Sequence, residues 1–198
     1  MRSLTDGLRI GLLGGSFNPA HDGHRQISVE ALRRLQLDQV WWLVSPQNPL
    51  KSEAEMAPLA LRMESARAVA KHPLIRPTDI ETRLGTRFTA DTLVALTRRF
   101  PRSRFVWLMG ADNLVQIPSW DRWTQIFNTV PVAIFDRPSY TLRALAGTAA
   151  RRYRRNRLRE REAPRLAGMS PPAWIFLHIR LNPASATQLR ARRAPSPG

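Results

Sequence analysis

Short apolar runs recur along the chain: LRIGLL at 8–13, VWWLV at 40–44, RFVWLM at 104–109, VPVAIF at 130–135 and WIFLHI at 174–179. Each has the length and β-rich composition of a buried strand. Between them, residues 24–36, 57–71, 89–99 and 120–128 place apolar side chains at helical spacing, with Pro58 suited to a first turn. Strands buried on both faces and alternating with helices predict an α/β fold, a doubly wound parallel sheet with flanking helices. At 198 residues a single domain is expected. Ligands of such sheets bind beyond the carboxyl ends of the strands, where strand order reverses, so the loops that follow strands are where chemistry is expected.

Charge modifies this picture only locally. The 31 basic and 15 acidic residues give a net charge of +16, which raises a nucleic-acid or anionic-membrane partner. Residues 141–198 carry most of the excess, and only Lys51 and Lys71 of the basic residues are lysines, so the body of the chain is mildly basic and nucleic acid is not the expected partner. A basic nucleic-acid-binding module stays as the alternative from a different class. With no cysteine, disulfides and thiolate metal sites are excluded. No segment approaches the roughly 20 apolar residues of a membrane span, so a cytoplasmic protein with no membrane partner is expected. Residues 141–172, with RRYRRNRLRERE followed by APRLAGMSPP, read as a basic connector or a flap over a phosphate-bearing ligand, and 194–198 as a disordered tail.

The stretch GLLGGSFNPAHDGHRQIS, 11–28, follows the first strand and leads into the first helix. It lacks the G-K-[ST] ending of a Walker A loop and the G-x-G-x-x-G spacing of a dinucleotide fold. Gly14 and Gly15 permit close approach of a ligand to the main chain, and the helix start offers free N–H groups to a phosphate. His24, near that start, is favoured as a neutral hydrogen-bond donor. His21 and His24 could instead share a metal, for which no third ligand is evident, or cap the turn; the coincidence of strand, glycine turn and helix start favours phosphate.

GGSFNPAHDGH resembles the G-G-[ST]-F-[DN]-P-x-H-x-G-H motif of the nucleotidyltransferase superfamily, and specifically of bacterial nicotinate-nucleotide adenylyltransferases. PQNPLK (46–51), RFTADTL (87–93), GADNLVQIPSWDRW (110–123) and SATQLR (185–190) are similar to further motifs of that family, in the same order. The resemblance implies a Rossmann-like nucleotidyltransferase domain over 1–193, and transfer of AMP from ATP to nicotinate mononucleotide with release of pyrophosphate. It also implies Mg²⁺ with the ATP, without a protein ligand assigned to the metal, and leaves a homo-oligomer open. Related enzymes acting on nicotinamide mononucleotide or phosphopantetheine share the histidine motif and are the near alternative.

By that resemblance Gly14, Gly15, Ser16, Phe17, His21 and His24 meet the ATP phosphates, with His21, His24 and Arg190 as the catalytic set. Gly110 and Asp112 face the adenosine, Asp112 accepting from ribose hydroxyls. SATQ is a capping-box pattern in which Ser185 caps a helix with Gln188 three residues on, a second anion site to which Thr187 and Arg190 add a hydroxyl and a guanidinium. On the acceptor side, Trp120 stacks on the nicotinate ring, Thr89 offers its backbone to the nicotinate carboxylate, and Asn48 and Lys51 line the mononucleotide loop, while Trp123 is expected in the core. The nucleophile is a phosphate monoester with a second pKa of about 6, largely ionised at neutral pH, so no general base is needed.

Overall fold

The computed structural model describes residues 5–46 and 56–179. Among them a seven-stranded sheet, entirely parallel, runs in the order β3-β2-β1-β4-β5-β7-β6. The strands are β1 (Arg9–Gly15), β2 (Gln39–Val44), β3 (Ile75–Thr78), β4 (Arg104–Gly110), β5 (Val132–Phe135), β6 (Arg157–Leu158) and β7 (Trp174–Leu177). The order reverses between β1 and β4, whose carboxyl ends are the glycines Gly15 and Gly110.

Period-two alternation divides each strand between two cores. Ile10, Leu12, Trp41, Phe105, Trp107, Ile134 and Trp174 face one side, and Leu13, Trp42, Val106, Leu108, Phe135 and Ile175 the other. The first side is covered by α4 (Thr89–Arg99), α5 (Ala111–Gln116), α6 (Trp123–Thr129), α7 (Thr141–Leu145) and α8 (Thr148–Arg152). On the other side lie α1 (Asp22–Arg34), α2 (Leu59–Ala70) and the 3-10 segment Glu160–Gly168. A short α3 (Ile80–Leu84) links β3 to α4. Among the described residues no helix is long and apolar enough to cross a membrane.

The five apolar runs are all strands, with ends moved by one or two residues. Helix α1 begins at Asp22, two residues ahead of the expected start, and includes Gly23; α6 begins at Trp123, three residues later than expected. Pro58 is the N-cap of α2 and so stands just outside its first turn. The segment 141–172, read from its charge as a connector or flap, carries α7, α8, the edge strand β6 and the 3-10 segment, and it buries Tyr153, Ala163, Leu166 and Ala167. Its arginines are exposed while the small and apolar residues between them pack, which a charge count does not reveal. Beyond β7 the chain is pinned by Glu160, whose carboxylate accepts from the His178 N–H at 3.0 Å and from Arg34 at 2.6 Å.

Candidate active site

At the carboxyl end of β1 the turn runs through Ser16 and Phe17, the latter at φ +47°, to His21, the N-cap of α1. His24 is the third residue of that helix. The backbone N–H of His21 donates to Nδ1 of His24 at 3.2 Å, and the N–H of His24 donates to the His21 carbonyl at 2.9 Å. An Nδ1 that accepts leaves the proton of the neutral ring on Nε2. The His24 ring lies 3.8 Å from that of His21 and 4.6 Å from Phe17, centroid to centroid, and Phe17 in turn stacks on Trp42 at 5.0 Å. Trp42 donates to Ser28 Oγ, which donates to the His24 carbonyl, so the wall behind the imidazole is hydrogen-bonded through.

Burial drives both histidines toward the neutral form. His21 is lowered to about 4 by desolvation, then by the positive charge of Arg137, against a smaller pull from Asp22. His24 is pushed well below its ordinary value by desolvation, by His21 and by Arg137. Both are therefore uncharged at neutral pH, and His24 is a donor of fixed tautomer beside the free N–H groups of a helix start.

Gly14 and Gly110 are glycines for packing reasons. A Cβ on Gly14 would run into the Trp107 ring, and one on Gly110 into the Asp112 carboxylate and the Arg137 side chain. Asp112, in the first turn of α5, points Oδ1 toward Arg137 Nε at 3.7 Å, too far for a hydrogen bond, and both atoms are buried without a bonded partner among the described residues. Arg137 follows β5, and Asp136 before it holds the start of α7, accepting from the Arg137 N–H at 2.8 Å and from the Thr141 hydroxyl. Arg137 thus reaches from β5 toward Asp112 and carries charge felt by both imidazoles.

Thr89 is the first residue of α4, whose opening N–H groups have no intrahelical partner. Arg122, the N-cap of α6, grips Asp91 with two bonds of 2.8 and 2.7 Å and also donates to Asp121, which fixes α6 against α4. Trp120 sits just before that clamp, half-buried against the core, with its indole N–H unpartnered among the described residues. Trp123 packs edge-on to Phe127 and Tyr153, as expected for a core tryptophan. Behind α4, Glu81 is buried, accepting from Thr92 at 3.1 Å and bonded to Ser45, with Thr86 in contact with Thr92 at 2.9 Å.

The structure therefore gathers Gly14, Gly15, Ser16, Phe17, His21, His24, Gly110 and Asp112 at one edge of the sheet around the β1/β4 reversal. Thr89 opens α4, and Trp120 lies in the bend between the 3-10 turn Ile117–Ser119 and α6, packed against the core of the first face. Asn48, Lys51, Ser185, Thr187 and Arg190 lie outside the described residues, as does the 194–198 tail. Among the described residues no three His, Asp or Glu side chains converge as a metal site.

A cytidylyltransferase-like family model matches residues 12–192. A probable nicotinate-nucleotide adenylyltransferase of Parvibaculum lavamentivorans is 54% identical over 96% of this chain and 94% of its own. One of Cereibacter sphaeroides is 55% identical over 92% and 96% of the two chains. The chain belongs to the nicotinate-nucleotide adenylyltransferase family. Among solved structures it is similar to the nicotinic acid mononucleotide adenylyltransferase of Plasmodium falciparum complexed with NaAD, at 17% identity, a TM-score of 0.70, and coverage of 93% of this chain and 83% of that one, a likeness of fold. The protein is thus a nucleotidyltransferase enzyme with a Rossmann-like sheet, and enzymes of this type use a divalent metal with ATP.

Three polar residues of this adenylyltransferase lie outside the sequence-based expectations: the partly buried Arg137 and the buried Glu81 and Arg62. The signal for Arg137 was its place two residues beyond a buried strand, at the edge where the fold binds ligands. Glu81 carries its own test. Burial raises its pKa to about 7, against hydrogen bonds from Thr92 and Ser45 that lower it. The folded protein therefore holds this proton between 4.5 and 7, where the unfolded chain has released it, so stability is present below 4.5 and is lost as pH rises through 7. Glu81→Gln is expected to raise the urea midpoint at pH 8 and to leave it near wild type at pH 4.5. An equal gain at both pH values would show that the carboxyl does not titrate in that range.

Proposed function

We propose that the site transfers AMP from ATP to nicotinate mononucleotide, giving nicotinate adenine dinucleotide and pyrophosphate, in NAD biosynthesis. The observation that carries this reading is the β1–α1 turn, where a neutral imidazole of fixed tautomer stands at a helix start flanked by glycines. Relatives at 51–55% identity carry the name of that activity over nearly their whole length.

The acceptor phosphate attacks the α-phosphorus of ATP; a P–O bond forms there as the bond to the departing pyrophosphate breaks. Since the nucleophile is already a dianion, the enzyme's work is alignment and charge stabilisation. His24 Nε2–H and the opening N–H groups of α1 donate to the α- and β-phosphate oxygens, with His21 beside them, and Gly14, Gly15, Ser16 and Phe17 shape the turn. Asp112 accepts from the ribose hydroxyls across the Gly110 backbone. Arg137, loosely set against Asp112, turns its guanidinium to a substrate anion. Thr89 and the start of α4 bind the nicotinate carboxylate, and Trp120 stacks on the ring. Asn48 and Lys51 serve the mononucleotide, and Ser185, Thr187 and Arg190 the distal phosphates. The divalent cation, Mg²⁺, enters with the substrate as MgATP and offsets phosphate charge.

The test is pyrophosphate release by the purified chain with MgATP and, in separate reactions, nicotinate mononucleotide, nicotinamide mononucleotide or phosphopantetheine. Turnover with the first at a kcat/KM at least ~10-fold above the others is expected, the margin a carboxylate-binding helix start gives. Preference for another acceptor would keep the phosphate chemistry and discard the roles of Thr89 and Trp120.

A further inference from the structure

Arg62 is a buried charge that the reaction as described leaves unused. It lies in the first turn of α2 with 2% of its surface exposed, while its neighbour Leu61 is 57% exposed, the reverse of how such a pair is ordinarily arranged on a helix. Every hydrogen bond it makes among the described residues goes to a backbone carbonyl. Nε donates to Ala57 at 2.8 Å, Nη1 to Ser16 at 2.8 Å and to Ser45 at 2.7 Å, and Nη2 to Pro46 at 3.1 Å. Burial lowers its pKa, yet a guanidinium stays charged throughout the physiological range.

The four carbonyls come from three separate pieces of chain. Ser16 lies in the turn that leads from β1 to His21 and His24; Ser45 and Pro46 are where the chain leaves β2; Ala57 is where it enters α2. Ser45 is held from two other directions, its N–H donating to the Gly15 carbonyl at 3.0 Å and its side chain bonded to Glu81, which continues through Thr92 into α4. One planar fork therefore joins the turn beside the ATP phosphates to the wall that runs through Ser45, Glu81 and α4 to Thr89. A lysine ammonium, a point charge on a flexible stem, cannot meet four carbonyls in these directions.

The geometry points to Arg62 as a positioning residue for AMP transfer, a clasp that sets the spacing between the donor-side turn at Ser16 and the acceptor-side wall at Ser45. This rests on the assignment of ATP and mononucleotide to those two sides. In-line attack is sensitive to spacing, and a displacement of about 1 Å can cost about 100-fold in rate.

Arg62→Lys and Arg62→Ala in the full chain test it, with folded fraction measured by circular dichroism and by ATP-binding stoichiometry. Per folded molecule, kcat is expected to fall by about 100-fold in Arg62→Lys while each KM stays within about threefold of wild type. Ethylguanidinium added to Arg62→Ala is expected to recover at least ~10-fold of the lost kcat, and ethylammonium none, since only the former restores the fork. The clasp is overturned if Arg62→Lys keeps its kcat per folded molecule, or if ethylammonium rescues as well as ethylguanidinium. Should Arg62→Ala not fold, Arg62→Lys decides alone. A wild-type chain that releases no pyrophosphate overturns the functional reading, and the positioning role with it; an active wild type and an unaltered Arg62→Lys overturn only the clasp.

Discussion

His24→Ala is expected to lower kcat by at least about 100-fold, the scale on which a single preorganised donor to a developing anion is felt. Nδ1 is occupied by the His21 N–H, so Nε2 must carry the proton, and the ring is wedged beside Phe17 and His21 at centroid distances of 4.6 and 3.8 Å. A donor held this way needs no reorganisation as charge builds on the phosphates. Removing a buried ring also leaves a cavity, so the variant is compared per folded molecule. His24→Asn, which keeps an N–H donor on a shorter arm, is expected to fall between the two. Retention of near-wild-type kcat by a folded His24→Ala would remove the ring from the transition state.

The same burial predicts the pH profile. With His21 lowered to about 4 and His24 pushed well below its ordinary value by burial, neither imidazole is charged at neutral pH. The acid limb of kcat/KM for the acceptor then belongs to the substrate phosphate, near pH 6. It should persist unchanged in His24→Asn; an acid limb that moves with the substitution would mean that the ring itself ionises in the working range. For stability the sign follows from the depressed pKa of His21. The neutral fold is fully stable above 6.5 and loses stability as pH falls toward 4, where the unfolded chain binds a proton that the fold refuses.

What was legible in the sequence tracks how locally each feature is written. The five central strands announce themselves because both faces are buried, so apart from Arg9, Gln39 and Arg104 at three strand starts their residues are apolar or glycine. β3 and β6 escape because edge strands lack that requirement: β3 reads IRPT with a proline, and β6 is two residues, Arg157 and Leu158. The glycine turn was legible since strand, turn and helix follow one another in the chain. Arg137 and Arg62 were not, because their meaning lies in contacts between segments far apart in sequence. An arginine in an amphipathic stretch reads as solvated surface; only the fold shows that Arg62 is turned inward onto the carbonyls of Ser16 and Ser45. The 141–172 segment was misleading for the related reason that net charge averages over exposed arginines and the buried Ala163, Leu166 and Ala167 between them.

Trp120→Ala is expected to raise KM for nicotinate mononucleotide by about 10- to 50-fold, with KM for ATP nearly unchanged, the loss of an aromatic stack together with its buried area. The indole follows the 3-10 turn Ile117–Ser119 and precedes the Arg122 clamp to Asp91, so its backbone is fixed from both sides while its N–H has no bonded partner among the described residues. A half-buried ring in the segment that Arg122 clamps to α4 through Asp91 offers a flat face at small entropic cost, since only two side-chain torsions need ordering. Trp120→Phe retains a face and is expected to recover most of the loss. The distinction from a purely packing role is the split between substrates: a ring that only supports the core would, on removal, disturb ATP and acceptor together. Loosening the clamp by Arg122→Ala should move KM for the acceptor in the same direction by a smaller factor, because the ring remains and only its bearing is lost.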